Sequence, residues 1–215
     1  MQKKHLLGDG LFYLQMFCAL AVGIAQPWLM QSTTKGISIT WLLFWGLFLL
    51  INLSLSYRAH QVLPSRVTKQ TVIVYATWAV VLVITVLVFL WQGTTIWSEI
   101  DTLTAILATA GIVLTLTVGR MQGLPVVDPV VRGYLAVFFK GLPQLTLAYS
   151  IWQYGGEGLS VVAVLVGHIT VCTRLGQIFL SLREAGWDRN RQGSAISEIA
   201  NEGSWIVVTI VWLIR

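Results

Sequence analysis

Charge is what this 215-residue chain has least of: Asp, Glu, Lys and Arg together make up 11% of it. A soluble domain usually carries about 25%. With 56% hydrophobic residues and a mean hydropathy of +0.75, the shortage excludes an ordinary water-soluble fold and specifies an integral membrane protein. Cysteine is nearly absent too. Cys18 and Cys172 both fall in apolar segments, where a buried free thiol is expected, and two such residues give no disulfide framework. Compact catalytic patterns are missing: there is no Gly-rich phosphate loop, no Ser-His-acid spacing and no acidic cluster on a loop. The expectation is a non-enzyme without a cofactor. His168 and Cys172 share a helix face four residues apart, but two mixed ligands do not make a metal site. The net charge of +5 belongs to loops at the membrane surface and calls for no nucleic acid. Tryptophan, by contrast, is abundant, and the ten residues suit interfacial belts and pocket walls.

A run of about 20 apolar residues is the unit that spans a bilayer. Seven segments qualify: 8–29, 37–57, 71–92, 102–119, 131–152, 158–182 and 194–214. The connections are short except for two polar, basic ones, 58–70 and 183–193. Lipid admits only helices or closed barrels, and these runs are too long for barrel strands, so the fold class is an all-α membrane protein with seven transmembrane helices. The basic residues then sort by side. Lys3, Lys4, Arg58, Arg66, Lys69, Arg120, Arg132, Arg183, Arg189 and Arg191 share the N-terminal side; Lys35 and Arg215 lie opposite. The positive-inside rule puts the N-terminus in the cytoplasm. The first segment also has some features of a signal peptide, but Asp9 is awkward in such a leader, and its removal would destroy the repeat that follows.

Gly158-Leu159-Ser160 set over Gly36-Ile37-Ser38 aligns the second and sixth spans at a constant offset of 122. Trp78 and Trp205 superpose at a slightly larger offset. The layout is three helices, one linker helix and three helices: residues 1–92 form a first bundle, 93–125 a linker region and 126–215 a second bundle. An odd linker gives both bundles the same orientation, as in parallel-repeat transporters.

Several residues break the apolar pattern. Pro143, in Lys140-Gly141-Leu142-Pro143-Gln144, and Pro27, in Ala25-Gln26-Pro27, each free a backbone carbonyl within a span. Either a hinge or the ordinary tolerance of membrane helices for proline accounts for them. Lys140, Arg174 and Glu202 lie about 12–14 Å deep at 1.5 Å per residue, with Glu198 one turn shallower. They form a buried ion cluster, which is either a structural lock or a proton-coupling site. Asn52 takes the place of Arg174 in the first half. Asn201 and Trp205, one turn apart, suit a small polyol: the amide donates and accepts while the ring covers a sugar face. Trp78 and Tyr75 could supply the facing wall, and Gln144 is counted with the binding residues. Interhelical bonding by Asn201 and plain packing by the rings are the competing readings.

The Lys140–Gln144 stretch, the Gly158-Leu159-Ser160 helix start and the seven-span layout resemble the PQ-loop family, which includes SWEET sugar transporters, cystinosin-type transporters and the mannose-phosphate-dolichol utilisation protein. The stretch Ile178-Phe179-Leu180-Ser181-Leu182-Arg183-Glu184-Ala185-Gly186, followed by a span bearing Asn201, is most similar to the last of these. In the first half the order is reversed, Gln26-Pro27. The resemblance implies a SWEET-like 3+1+3 carrier that moves a small polar solute, a sugar or an amino acid, by rocking of the two bundles. The alternative it implies is a non-transporting membrane factor that handles a lipid-linked sugar or a partner protein. The expected partners are the solute and the lipid bilayer, and the oligomeric state stays open, a homo-oligomer included.

Overall fold

Serine and aspartate decide where most of the helices begin. The computed structural model describes residues 2–93 and 97–215, and within them all side chains except those of 2–7, 177, 180, 181 and 183–185. Its helices are α1 (Gln2–Met30), α2 (Ile39–Val62), α3 (Arg66–Trp91), α4 (Glu99–Met121), α5 (Pro129–Ala136), a π-helical segment (Val137–Gly141), α6 (Leu142–Tyr154), α7 (Val161–Ala185) and α8 (Arg189–Ile214). Because α5, the π segment and α6 follow without a break, the described residues form seven rods. Ser38, Ser65, Ser98, Asp128, Ser160 and Asp188 cap the N-termini of α2, α3, α4, α5, α7 and α8, each accepting from backbone N–H groups of the first turn. At Ser65 and Ser98 the cap is reciprocal, with Thr68 and Asp101 bonding back.

Four helices are long and apolar enough to cross a membrane: Gly8–Met30, Ile39–Val62, Arg66–Trp91 and Glu99–Met121. Leu87, Leu107, Val113, Leu114 and Leu165 stand exposed on these helices and α7, as an α-helical membrane protein requires where rods meet lipid rather than water. The two connections read from sequence as long polar loops are mostly helix. α2 runs on to Val62 and α3 starts at Arg66, while α7 runs to Ala185 and α8 starts at Arg189. Hydropathy marks where apolar side chains stop, whereas the caps at Ser65 and Asp188 mark where the backbone turns. The side chains of Lys3, Lys4 and Arg183, counted in the charge asymmetry, lie outside the described residues, as does part of the 178–186 stretch.

Within the N-terminal half, α3 packs against both α1 and α2; within the C-terminal half, α8 packs against α5, α6 and α7. Gly133 and Gly193 make the α5–α8 crossing possible: a Cβ on Gly193 would sit 1.9 Å from the carbonyl oxygen of Pro129. The halves meet where α1 lies on α7 and α2 on α6. α4 rests on the outside of this assembly, touching α2, α5 and α6. Its Asp101 ties it there by accepting from Ser38 Oγ at 2.9 Å and Thr40 N at 3.2 Å, and the Thr104 hydroxyl is hydrogen-bonded to that of Thr146 on α6. One apolar core runs through both halves, from Cys18, Val22, Leu42 and Val81 to Leu147, Val164, Trp205 and Val208. Cys18 is buried in it as expected; Cys172 is exposed, because it shares the outward face of α7 with Leu165 and Ile169.

At one end the halves are bolted together. The two Gly-x-Ser helix starts lie against each other: Gly158 N donates to Lys35 O at 3.0 Å, and Lys35 Nζ pairs with Glu157 at 2.9 Å. Gly36 needs its φ of +81° here, and a Cβ on it would stand 1.9 Å from the Gly155 carbonyl oxygen. Gln26 of α1 completes the joint, donating to Gly158 O at 2.7 Å and accepting from Ser160 N at 2.9 Å.

Candidate functional site

Between the halves lies a cavity of about 130 Å³. α1, α2, α3, the π segment, α6, α7 and α8 all contribute to its wall, and α4 contributes nothing. Asn201, Trp205, Trp78, Tyr75 and Gln144, the residues expected to bind substrate, all line it, as do Lys140, Arg174 and Glu198.

The aromatic part is a run of four indoles. Trp205 stacks on Trp41 with ring centroids 6.4 Å apart, Trp41 on Trp45 at 5.4 Å, and Trp45 meets Trp78 at 6.0 Å in a tilted contact. Offset and tilted pairs at such distances are favourable beyond simple burial. Trp205 is almost fully buried, and its Nε1–H donates to Val164 O at 3.1 Å, which fixes the ring. Sequence reasoning missed Trp41, Trp45 and Phe48. Their spacing of four and three residues puts them on one face of α2, a stripe that could have been found from the same helical periodicity used elsewhere.

The polar part comes from the C-terminal half. Gln144 donates to Asn201 Oδ1 at 3.0 Å and accepts from the Ser204 hydroxyl, joining α6 to α8. Arg174 donates to Glu198 Oε1 at 3.1 Å, joining α7 to α8, while Glu198 Oε2 is buried with no hydrogen-bond partner among the described residues. The Lys140 ammonium sits 4.9 Å from the centre of the Phe48 ring, a cation–π contact between the halves. Glu202 does not join this group. Its Oε1 lies 2.7 Å from His168 Nδ1, whose Nε2 is 2.8 Å from the Thr209 hydroxyl, along the α7–α8 seam and away from the cavity. Depth placed Glu202 level with Lys140 and Arg174, but it is turned by one residue, about 100°, from Asn201 on the same helix.

Lys140 belongs to the π segment, which ends two residues before Pro143. Pro143 has no N–H to bond the carbonyl four residues back and its ring crowds that carbonyl, so the preceding turn widens and Leu142 N bonds Val137 O instead. α1 shows no such widening and stays α-helical through Pro27 to Met30. Both prolines are buried, and neither lines the cavity.

At the basic end Tyr75, Arg174 and Glu198 also border a larger vestibule of about 590 Å³, between the starts of α1, α3 and α8 and the end of α7. Among the described residues Arg132 on α5 crosses between the halves here, donating to Asn52 Oδ1 on α2 at 2.8 Å. The ion pairs Arg66–Asp9 and Arg189–Asp128 each stay within one half. The Arg189 guanidinium holds the Asp128 carboxyl below the usual carboxylate range, as Lys35 does for Glu157 at the opposite end. Searches of protein-family models, curated proteins and solved structures give no match to the chain.

Proposed function

We propose that the protein is a membrane carrier for a small polar solute. In this reading seven spans are arranged as two parallel three-helix bundles joined by the linker helix α4, and the bundles rock about the central cavity. The observation that carries the proposal is the pattern of the cavity wall: each of the three rods of both halves borders it, the α5–α6 rod through its π segment and α6, and the linker does not. A site at the interface of two repeats can face either side by small rotations of the bundles, which is how repeat-built carriers work. The ends of the site support the same reading. One end is closed by Lys35–Glu157, Gln26 and the abutting Gly-x-Ser turns; at the other, cavity-lining Tyr75, Arg174 and Glu198 border the vestibule. A conformation closed at one end and reachable from the other is one of the two states alternating access needs.

The basic residues support a cytoplasmic vestibule by the positive-inside rule, with the N-terminus on the same side. The layout and the Pro143-Gln144 step support kinship with the PQ-loop family. Pro143, with the widened turn before it, serves as the hinge of the second bundle, and Pro27 as the weaker hinge of the first. The reading as a lipid-handling factor would need a groove open sideways to lipid, whereas the polar groups described above converge between bundles. The test is uptake into proteoliposomes from a panel of labelled sugars, amino acids and other small polar solutes. Saturable uptake of at least one compound, lost in Asn201→Ala protein that still folds, is the expected result. Protein-independent flux across the whole panel would overturn the carrier reading.

A further inference from the structure

The cavity is not electrically neutral. Its charged lining residues are Lys140, Arg174 and Glu198, two cations against one carboxylate. Glu198 Oε1 is engaged by Arg174, whereas Lys140 has no carboxylate within ion-pair distance among the described residues and rests on the Phe48 ring. An excess charge held between helices in a membrane is costly until a counter-charge arrives. A neighbouring pocket has the same sign. A side pocket of about 180 Å³ shares Phe48, Tyr75, Arg174 and Glu198 with the cavity and adds Arg132, whose guanidinium bonds the Asn52 amide oxygen instead of a carboxylate. In the vestibule Arg191 is balanced by Asp188 at 2.5 Å, so that pair does not cancel the excess. A cleft with a net excess of one sign of charge gathers ligands of the other.

The opposite wall is aromatic and carries no charge: Trp41, Trp45, Phe48 and Trp78. The volume sets a size. An apolar cavity of about 150 Å³ holds benzene, so about 130 Å³ admits a solute body of about one small ring. The excess is a single charge. A carboxylate matches it, whereas a phosphate monoester, at about −1.5 to −2 near neutral pH, exceeds it.

We propose that the solute taken by this cavity is a small organic carboxylate, a monoanion with a flat or apolar body, its carboxylate paired with Lys140 and its body against the tryptophans. The proposal rests on the carrier reading only in taking the cavity as the solute site. Benzoate and benzamide, alike in shape and different in charge, are the probes, titrated calorimetrically into the purified full-length protein in nanodiscs at pH 7. Benzoate is expected to bind at least about tenfold more tightly than benzamide, or about 1.4 kcal/mol. Lys140→Gln should abolish the preference and Lys140→Arg should keep it. Equal binding of the two probes, a preference that survives Lys140→Gln, or no binding of benzoate at millimolar concentration overturns the proposal. If Lys140→Gln protein does not fold, benzamidinium decides on the wild type: tighter binding of this cation than of benzoate overturns the proposal, and weaker binding supports it. The two readings fail separately. Neutral-sugar flux without benzoate preference removes the charge inference and leaves a carrier; benzoate preference without flux of any solute does the reverse.

Discussion

The two halves of the chain face the same cavity, but every charge in its wall comes from one of them. From α2 and α3 come Trp41, Trp45, Phe48, Tyr75 and Trp78 and no charge; from the C-terminal half come Lys140, Arg174, Glu198, Gln144 and Asn201. The contrast is sharpest at two positions related by the repeat offset. Arg174 is paired with Glu198 across α7 and α8, whereas Asn52 bonds the Phe48 carbonyl of its own helix at 2.8 Å and accepts from Arg132. What the halves share lies in the backbone: Ser38 and Ser160 cap α2 and α7 in the same way. Caps act on the backbone of one helix turn, whereas side chains that face a cavity have fewer neighbours to satisfy and are freer to differ.

The largest effect should come from breaking the ionic wall. Arg174→Ala leaves Glu198, only 6% exposed, without its partner, and is expected to destabilise the protein by about 3 kcal/mol, the low end of the range for such losses. Asn52→Ala, at the matching position, should cost no more than about 1 kcal/mol. Thermal unfolding in detergent measures both, and Glu198→Gln added to Arg174→Ala should recover part of the loss. Equal costs at the two positions would mean that the asymmetry is not energetic. Solute uptake then compares the walls directly. Asn201→Ala is expected to reduce it by about 100-fold, because the partner amide of Gln144 is left buried and unsatisfied as well. Trp45→Ala should reduce it by about tenfold through lost ring contact. The reverse order would make the aromatic wall the principal binding surface.

Pro143 and Pro27 extend the comparison to the backbone. Pro143→Ala restores an N–H and removes the reason for the wide turn at Val137–Gly141, which would rotate Lys140 relative to α6. Uptake should fall about fivefold or more, with binding less affected. Pro27→Ala, in a helix already regular, should change uptake by less than about twofold, by the same argument. Similar losses for both would make the π turn incidental.

How much of this was legible in the sequence depends on which coordinate a residue had to be given. Position along the helix was readable: Lys140, Arg174 and Asn201 all line one cavity. Azimuth was not. Glu198 and Glu202 differ by about 40° around α8, and that small turn sends one carboxylate to Arg174 and the other to His168. The Gly-x-Ser starts were legible because glycine and a capping serine act locally. Trp41, Trp45 and Phe48 were passed over since aromatic residues in an apolar run announce nothing until their partners across the interface are known.

The smallest effect tests the closed end. Lys35 and Glu157 are matching positions of the two halves and face each other, 56% exposed on each side. Lys35 holds the Glu157 carboxyl below its ordinary range. A depressed carboxylate stabilises the folded pairing above its ordinary pKa of about 4.3, and the contribution is lost as pH falls through the depressed value. Asp128, held down by Arg189, titrates in the same sense, but that pair lies within one half and cannot report on the joint. The reporter is therefore the Gly158 amide, which bonds Lys35 O across the halves. Its hydrogen-exchange protection, corrected for intrinsic rate, should drop by about threefold or less on acidification, as an exposed pair implies. In Lys35→Met protein the step should be absent. A step of equal size in both proteins would assign the pH response to another group and leave the joint held by Gln26 and the glycine contacts alone.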